Sequence, residues 1–183
     1  MNSKFILLGI FLLSVLSLNA KIKVAPILGD NMVLQRNTEV KLWGTADPNQ
    51  KLTLTTSWNK AKISTVANDK GEWLVKAKTT EAGGPFTVTI TSGKEKVQLQ
   101  NILLGEVWLC SGQSNMEMPM VGYNDQPVNG SNNALAEAEN CQIRLYNVKR
   151  VSIATPQDTC VGQWSVASAK SASSFSAVGY LYA

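Results

Sequence analysis

Between residues 31 and 104 short runs of alternating apolar and polar residues are separated by turn-forming clusters, and this rhythm restricts the fold more than any other feature. Residues 31–35 (Asn-Met-Val-Leu-Gln), 39–44, 51–56 (Lys-Leu-Thr-Leu-Thr-Thr) and 60–66 each read as a strand with a period of two. Residues 72–75, 86–92 and 96–104 continue the series, with Phe86, Val88 and Ile90 on one face. Asp47-Pro48-Asn49 and Asn68-Asp69-Lys70-Gly71 supply turns, and Gly83-Gly84-Pro85 a break. Seven or eight short strands at near-even spacing predict a jelly-roll-like β-sandwich over residues 21–104. A unit of about eighty residues can bury a core of its own. Trp43, Trp73 and Phe86 are the expected large fillers. Trp58 reads either as packing in the core or at an edge, or as a ring exposed for stacking on a sugar.

From Gly105 the pattern changes. The apolar run Val107-Trp108-Leu109-Cys110 leads into Ser111-Gly112-Gln113 and then Ser114. This predicts a buried strand ending in a tight turn that presents a hydroxyl at the carboxyl edge of a sheet. Gly112 allows the turn, and Gln113 and Asn115 are expected to fix it. Met116, Met118 and Met120 read as packing or as an apolar wall near an acyl group. After a loop over 121–133, Asn132 is expected to cap a helix over 134–140, with Glu137 and Glu139 outward. Residues 143–148 read as the next strand and 158–164 as loop, and Ser173 or Ser174 would cap a last helix. Arg144 and Tyr123 are read as solvent-facing or as within reach of a carboxylated sugar. Strands of an α/β sheet need helices on both faces, so residues 105–183 are expected to expose apolar surface and to aggregate.

A serine hydroxyl is a weak nucleophile and needs a base in hydrogen-bond reach, usually a histidine oriented by a carboxylate. The chain contains no histidine. A lysine could replace it only if buried beside the serine, and none lies close in sequence. The Ser114 N–H is the first candidate for an oxyanion donor.

The first twenty residues carry Lys4 and an apolar run from Phe5 to Leu18, then Asn19-Ala20. This predicts a signal peptide cleaved after Ala20, a secreted or periplasmic protein, and no membrane span once it is removed. Removing Lys4 lowers the 17 basic residues by one, against 13 acidic. The basic residues are scattered, which does not support a nucleic-acid partner. Three cysteines leave at least one unpaired. Cys110 is expected as a buried free thiol, and Cys141 and Cys160 could pair in an oxidising compartment. No Cys-x-x-Cys or Cys/His cluster indicates zinc, and no cofactor is indicated.

The string from Gly105 to Pro119, Gly-Glu-Val-Trp-Leu-Cys-Ser-Gly-Gln-Ser-Asn-Met-Glu-Met-Pro, closely resembles the nucleophile segment of the sialate O-acetylesterases, a branch of the SGNH hydrolases. Asp30-Asn31-Met32-Val33-Leu34-Gln35-Arg36, Val40-Lys41-Leu42-Trp43-Gly44-Thr45-Ala46 and Asp69-Lys70-Gly71-Glu72-Trp73 resemble the accessory sandwich ahead of it. The stretches around Gln163-Trp164 and Phe175-Ser176-Ala177-Val178-Gly179 are similar to later family segments. The resemblance implies a multi-domain chain: a signal peptide at 1–20, an all-β sandwich at 21–104, and the truncated start of an α/β SGNH esterase domain at 105–183. It implies Ser114 as nucleophile, and a second backbone oxyanion donor from Ala177-Val178-Gly179, with Gly179 serving either there or in close helix packing. It also implies a histidine preceded by an aspartate near the end of a longer protein of which this chain looks like an amino-terminal fragment.

The function expected from that resemblance is removal of O-acetyl groups from sialic acids or related sugars on plant or host glycans. This chain alone is expected to be inactive for want of the base. The alternatives are an O-acetyl xylan or other carbohydrate acetylesterase, or a secreted sandwich that binds carbohydrate or only orients a neighbouring domain.

Overall fold

Alternation decides the strands. Along Glu72–Lys78 every second side chain is buried, and Lys51–Thr56 follows the same rule. The computed structural model describes residues 21–157 and 159–182, so the signal-peptide reading of residues 1–20 lies outside the described residues. The chain is mostly β-structure with few, short helices. In order come β1 (Lys23–Val24), β2 (Val33–Gln35), β3 (Glu39–Thr45), β4 (Lys51–Thr56), β5 (Lys62–Val66), β6 (Glu72–Lys78), β7 (Gly83–Ser92) and β8 (Glu95–Gly105). They form a three-stranded sheet, β1-β3-β6, and a five-stranded sheet, β2-β8-β7-β4-β5. Pairing is antiparallel apart from β2 on β8, which is parallel and places Val33 opposite Leu103 and Gln35 opposite Gly105.

The expected turns are where the chain changes sheet. Asn68–Gly71 carries it from β5 in one sheet to β6 in the other. The Asn68 side-chain oxygen accepts the N–H groups of Lys70 and Glu72, each at 2.9 Å. Gly71 has φ +79°, and a Cβ there would stand 2.4 Å from the Ala46 carbonyl oxygen, so only glycine fits. The break expected at Gly83-Gly84-Pro85 is not one. β7 runs through it, and the ladder to β8 absorbs the irregularity as register shifts between Gly83 and Phe86 and between Phe86 and Val88.

The inner faces of the two sheets share one apolar core. Leu42, Trp73, Val75 and Ala77 come from the smaller sheet, and Leu34, Leu52, Leu54, Val88, Ile90, Leu99, Ile102 and Leu104 from the larger, closed off by Ile22, Leu28 and Met32. The filling differs from the expectation in being aliphatic. Trp73 is buried, but Trp43 and Phe86 are half-buried and pack against the cluster from outside. Alternating strands on closely facing sheets leave room for branched aliphatic chains, and the larger rings go to the periphery. Trp58 is an edge residue, packed edge-on against Phe86 at 6.0 Å with its indole N–H donating to the Lys78 carbonyl at 2.9 Å.

Beyond Gly105 the structure is sparser. A 3₁₀ turn covers Ser114–Met116, followed by α1 (Ser131–Ala136), β9 (Asn140–Tyr146), β10 (Trp164–Ala167), α2 (Ala169–Ser173) and α3 (Ala177–Tyr182). β9 and β10 pair antiparallel, and no parallel ladder forms within 105–182 among the described residues. The expected buried strand at Val107–Cys110 is an irregular segment instead, with Leu109 92 % exposed. Strand geometry needs a hydrogen-bonded neighbour, and none is paired with this run among the described residues. The helix expected over 134–140 starts earlier and is shorter, and Gly130, not Asn132, stands at its N-cap. The last helix is capped by Ser176, whose hydroxyl accepts the Gly179 N–H at 3.1 Å, rather than by Ser173 or Ser174. The helix before it was not foreseen, although Ser168 and Ser171 cap it reciprocally.

The β9–β10 pair docks on the segment between β1 and β2: the Trp164 indole N–H donates to the Ile27 carbonyl at 2.7 Å, and the Tyr146 hydroxyl to that of Pro26 at 3.4 Å. Its own buried cluster is small, Ala138, Leu145 and Ala172 with Leu135, Ile143, Phe175 and Tyr180 around them. Val107, Trp108, Leu109, Val121, Tyr123, Val148, Val151, Ile153, Val161, Val178, Leu181 and Tyr182 are all exposed in this half, against Val66 and Leu74 before Gly105. The expected apolar exposure of this half is present.

Stability should rest on the shared core. Leu54→Ala, at a fully buried position, is expected to cost about 3 kcal/mol in urea unfolding. Leu74→Ala, on the outer face of β6, should stay within about 0.5 kcal/mol.

Candidate functional site

Two sequence segments that are far apart meet just ahead of Ser114. The β2–β8 ladder ends with the Arg36 N–H donating to the Gly105 carbonyl at 3.0 Å. Side chains continue where it stops. The Gln35 amide donates to Glu106 Oε2 at 2.9 Å and its carbonyl accepts the Val107 N–H at 2.9 Å. Arg36 Nε donates to Glu106 Oε1 at 2.7 Å, and Arg36 also reaches Glu81 at 3.4 Å. The Gln35 hydrogen bond, then that of Arg36, holds the Glu106 carboxyl below the usual carboxylate range, and Glu106 correspondingly raises Arg36.

Ser114 opens the 3₁₀ turn with φ +49°, in the left-handed region that a non-glycine residue rarely occupies. Gln113 before it is extended, so the backbone reverses sharply at the serine. The turn is closed by the Met116 N–H on the Gln113 carbonyl at 3.1 Å and by the Glu117 and Met118 N–H groups on the Ser114 carbonyl, both at 3.0 Å. The side chain is exposed and its hydroxyl donates to the Gln113 amide oxygen at 3.1 Å. Among the described residues no Lys, Asp or Glu side chain hydrogen-bonds it. Gln113 thus orients the hydroxyl, and Asn115 is exposed.

The Phe175–Gly179 stretch packs against this turn. The Met120 N–H donates to the Phe175 carbonyl and the Ala177 N–H to the Met118 carbonyl, each at 2.9 Å, and the Ser176 hydroxyl reaches the Met116 sulfur at 3.4 Å. Gly179 is buried where a Cβ would meet Cys110 Sγ at 3.1 Å and Cys110 Cβ at 3.2 Å. Its N–H is engaged by Ser176. Of the two readings of Gly179, this geometry carries close packing of α3 on the segment leading to Ser114.

Beside the turn lies a groove of about 710 Å³ lined by Cys110, Met116, Glu117, Tyr123, Arg150 and Phe175 among others. Glu117 pairs with Arg150, and the Tyr123 hydroxyl donates to the Glu117 carbonyl at 3.3 Å. Met116 faces the groove, Met118 is half-buried and Met120 is fully buried, so the three methionines divide between wall and core. Arg144 is elsewhere. It lines a second cavity of about 660 Å³ between β8 and β9, donating to the carbonyls of Cys141 and Ile143 and to the Asn101 side chain. Burial lowers its pKa.

All three cysteines are free, which corrects the Cys141–Cys160 pairing. Cys141 stands near the start of β9, whereas the Cys160 sulfur lies 3.5 Å from the hydroxyl of Tyr146 at its end. Five residues of strand separate those ends by about 16 Å, too far for a disulfide. Burial, then the Cys160 contact, pushes the Tyr146 phenol up to about 12. Cys110 is half-buried rather than fully buried. Among the described residues no cluster of His, Cys, Asp or Glu is arranged to hold a metal.

No family model matches the chain. It is 28 % identical over 155 residues to the sialate O-acetylesterase of Homo sapiens, covering 78 % of this chain and 29 % of that protein. It is 32 % identical over 108 residues to that of Pongo abelii, covering 54 % and 21 %. The chain is thus similar to sialate O-acetylesterases over part of their length. A crystal structure of a carbohydrate acetylesterase from Xanthomonas citri superposes with a TM-score of 0.81 at 29 % identity, over 88 % of this chain and 36 % of that one. The chain thus spans from about a fifth to about a third of the length of these relatives. The similarity includes the arrangement of strands and turns, since most of the described chain superposes.

The Gln35–Arg36–Glu106 network and the Ser176 cap were missed in the sequence. Only the proximity of like motifs in space reveals the first, since 71 residues separate Gln35 from Glu106. Glu106 is a lowered carboxylate, so its stabilising contribution is fully present above the ordinary value of 4.5 and is lost as pH falls through its lower folded value. Its titration followed by NMR should show a midpoint below 4.5 that moves up in Gln35→Ala. Gly179→Ala should lower the melting temperature, at a cost of about 1–3 kcal/mol from overpacking. Cys110→Ala should relieve that cost when the two are combined.

Proposed function

We propose that the chain contributes the nucleophile of a carbohydrate O-acetylesterase, with Ser114 as the attacking residue. The observation that carries this reading is the left-handed backbone of Ser114 within a segment shared in sequence with acetylesterase relatives. A serine at φ +49° projects its hydroxyl out of a sharp reversal, as a nucleophile at a strained turn requires. In the proposed reaction Oγ attacks the acetyl carbonyl carbon while a base takes its proton. The tetrahedral oxyanion is stabilised by the Ser114 N–H among other donors. Collapse expels the sugar oxygen, which takes the proton, and leaves an acetyl-serine that water then hydrolyses to acetate. The chain has no histidine, so the reading places the base on polypeptide outside residues 1–183.

The substrate class follows from the relatives: an O-acetylated sugar, with a sialic acid as the finer assignment drawn from the sialate O-acetylesterases. Residues 21–104 are assigned as an accessory sandwich and residues 105–183 as the beginning of the esterase domain. The exposed apolar side chains after Gly105 support this division, because they are the surface that further strands and helices would cover. Residues 1–20 are assigned as a signal peptide, which makes the protein secreted or periplasmic. Gly179 borders the nucleophile segment by packing against Cys110, and its N–H, held by the Ser176 hydroxyl, is not assigned as an oxyanion donor.

The coding sequence beyond residue 183 is expected to continue in frame to an Asp-x-x-His segment, and a stop codon there would sink catalysis by Ser114 as described. In the longer product, Ser114→Ala should reduce acetate release from O-acetylated sugars by at least about 10³-fold. An acetyl group trapped on the Ser114 peptide, seen by mass spectrometry, identifies the intermediate directly.

A further inference from the structure

The sandwich reaches the Ser114 segment through a joint in which Gln35, Arg36, Glu106 and Val107 are exposed or half-buried. The backbone of Gln35 is fixed first: the Thr79 hydroxyl lies 2.8 Å from its carbonyl and 2.9 Å from that of Thr38, and accepts the Thr38 N–H at 3.0 Å. Thr79 is buried, and it ties the end of the smaller sheet to β2 of the larger. From that anchor the Gln35 amide divides its two ends between successive residues, donating to the Glu106 side chain and accepting from the Val107 N–H. Arg36 takes the other Glu106 oxygen. The chain leaving β8 is thus held for two residues past its last ladder hydrogen bond, and it arrives at Ser114 seven residues after Val107 with no regular structure between.

Such a network adds little to global stability. The Arg36 and Glu106 side chains are 39 % and 50 % exposed, and surface ion pairs of this kind contribute little. Its effect is on direction. A small angular error at Val107 is carried along the irregular segment to the serine, and a misplacement of about 1 Å at a reacting atom can cost about 10²-fold in rate. Resting on the reading of Ser114 as nucleophile, we propose that Gln35, Arg36 and Glu106 form a positioning clamp through which the β-sandwich sets the aim of Ser114. None of the three touches substrate. They act through the Val107–Ser114 backbone.

Two measurements test this together. In the chain of residues 1–183, amide hydrogen exchange of Met116, Glu117 and Met118, whose N–H groups close the Ser114 turn, should become about tenfold faster in Gln35→Ala and in Glu106→Ala, with the melting temperature nearly unchanged. Glu106→Gln should keep the slower exchange in part, because it retains an acceptor. In the longer enzyme the alanine variants should lose about 10- to 100-fold in kcat with KM unchanged, and Glu106→Gln should recover part of that loss. Unchanged exchange, or faster exchange with unchanged kcat, overturns the clamp. A rise in KM with kcat intact overturns it too, because that would mark a substrate contact. Absence of any Ser114-dependent turnover in the unsubstituted longer enzyme overturns the nucleophile reading instead, and the exchange data then still show whether the joint holds the segment.

Discussion

Everything in this chain hangs on one apolar layer between two sheets. Neither sheet can cover its own inner face, and the β1-β3-β6 sheet is only three strands wide. Leu42, Val75 and Ala77 on one side and Leu54, Val88, Ile90 and Ile102 on the other leave water only together. At about 25 cal/mol per Å² of apolar area removed, that shared burial is the main favourable term available to residues 21–104. The crossings between the sheets make the sharing possible, and the one at Asn68–Gly71 hands the chain from β5 to β6 in a short, side-chain-braced turn. The buried Thr79 hydroxyl, satisfied by Thr38 and Gln35, closes the same joint at the other end without an orphaned polar group.

Residues 105–182 lack an equivalent layer. The β9–β10 pair leans on the sandwich through Trp164 and Tyr146, and its own cluster is built around two alanines and a leucine. Short capped helices and a two-stranded ladder can be held by such contacts, but they bury little. The apolar side chains that remain outside, Leu109 and Tyr182 among them, are what this arrangement leaves without cover among the described residues. Trp108 and Tyr182 meet edge-on at 5.2 Å across this surface, so part of it is already self-associated.

How much was legible from sequence follows from the range of the interactions involved. The strands of the sandwich were readable because burial with a period of two is written locally: Val40 and Leu42 in β3 and the Trp73-Val75-Ala77 series in β6 show it directly. Turns were readable where one residue carries the geometry, as Asn68 and Gly71 do. The helix caps were less so, since serines at 168, 171, 173, 174 and 176 compete, and only the fold decides which has a free N–H three residues on. The run from Val107 to Cys110 misled for a different reason. Its composition is that of a buried strand, but strand structure is a property of a pair, and composition cannot supply the partner. The Cys141–Cys160 pairing failed likewise, because separation along a strand is invisible until both positions are placed on it.

The position of Ser114 joins these threads. A serine in the left-handed region carries backbone strain, and such a conformation persists where its surroundings over-determine it. Three sets of contacts converge on the segment: Gln35 and Arg36 at Glu106 and Val107, Gly179 against Cys110, and the Phe175–Ala177 backbone against Met118–Met120. The first comes from the sandwich and the other two from the last described helix and the strand-like segment before it. The strained residue therefore sits between two bodies of structure that are distant in sequence. That division explains why the motif around Ser114 is recognisable on its own while its geometry is not: the residues that enforce it lie about seventy positions before and sixty positions after.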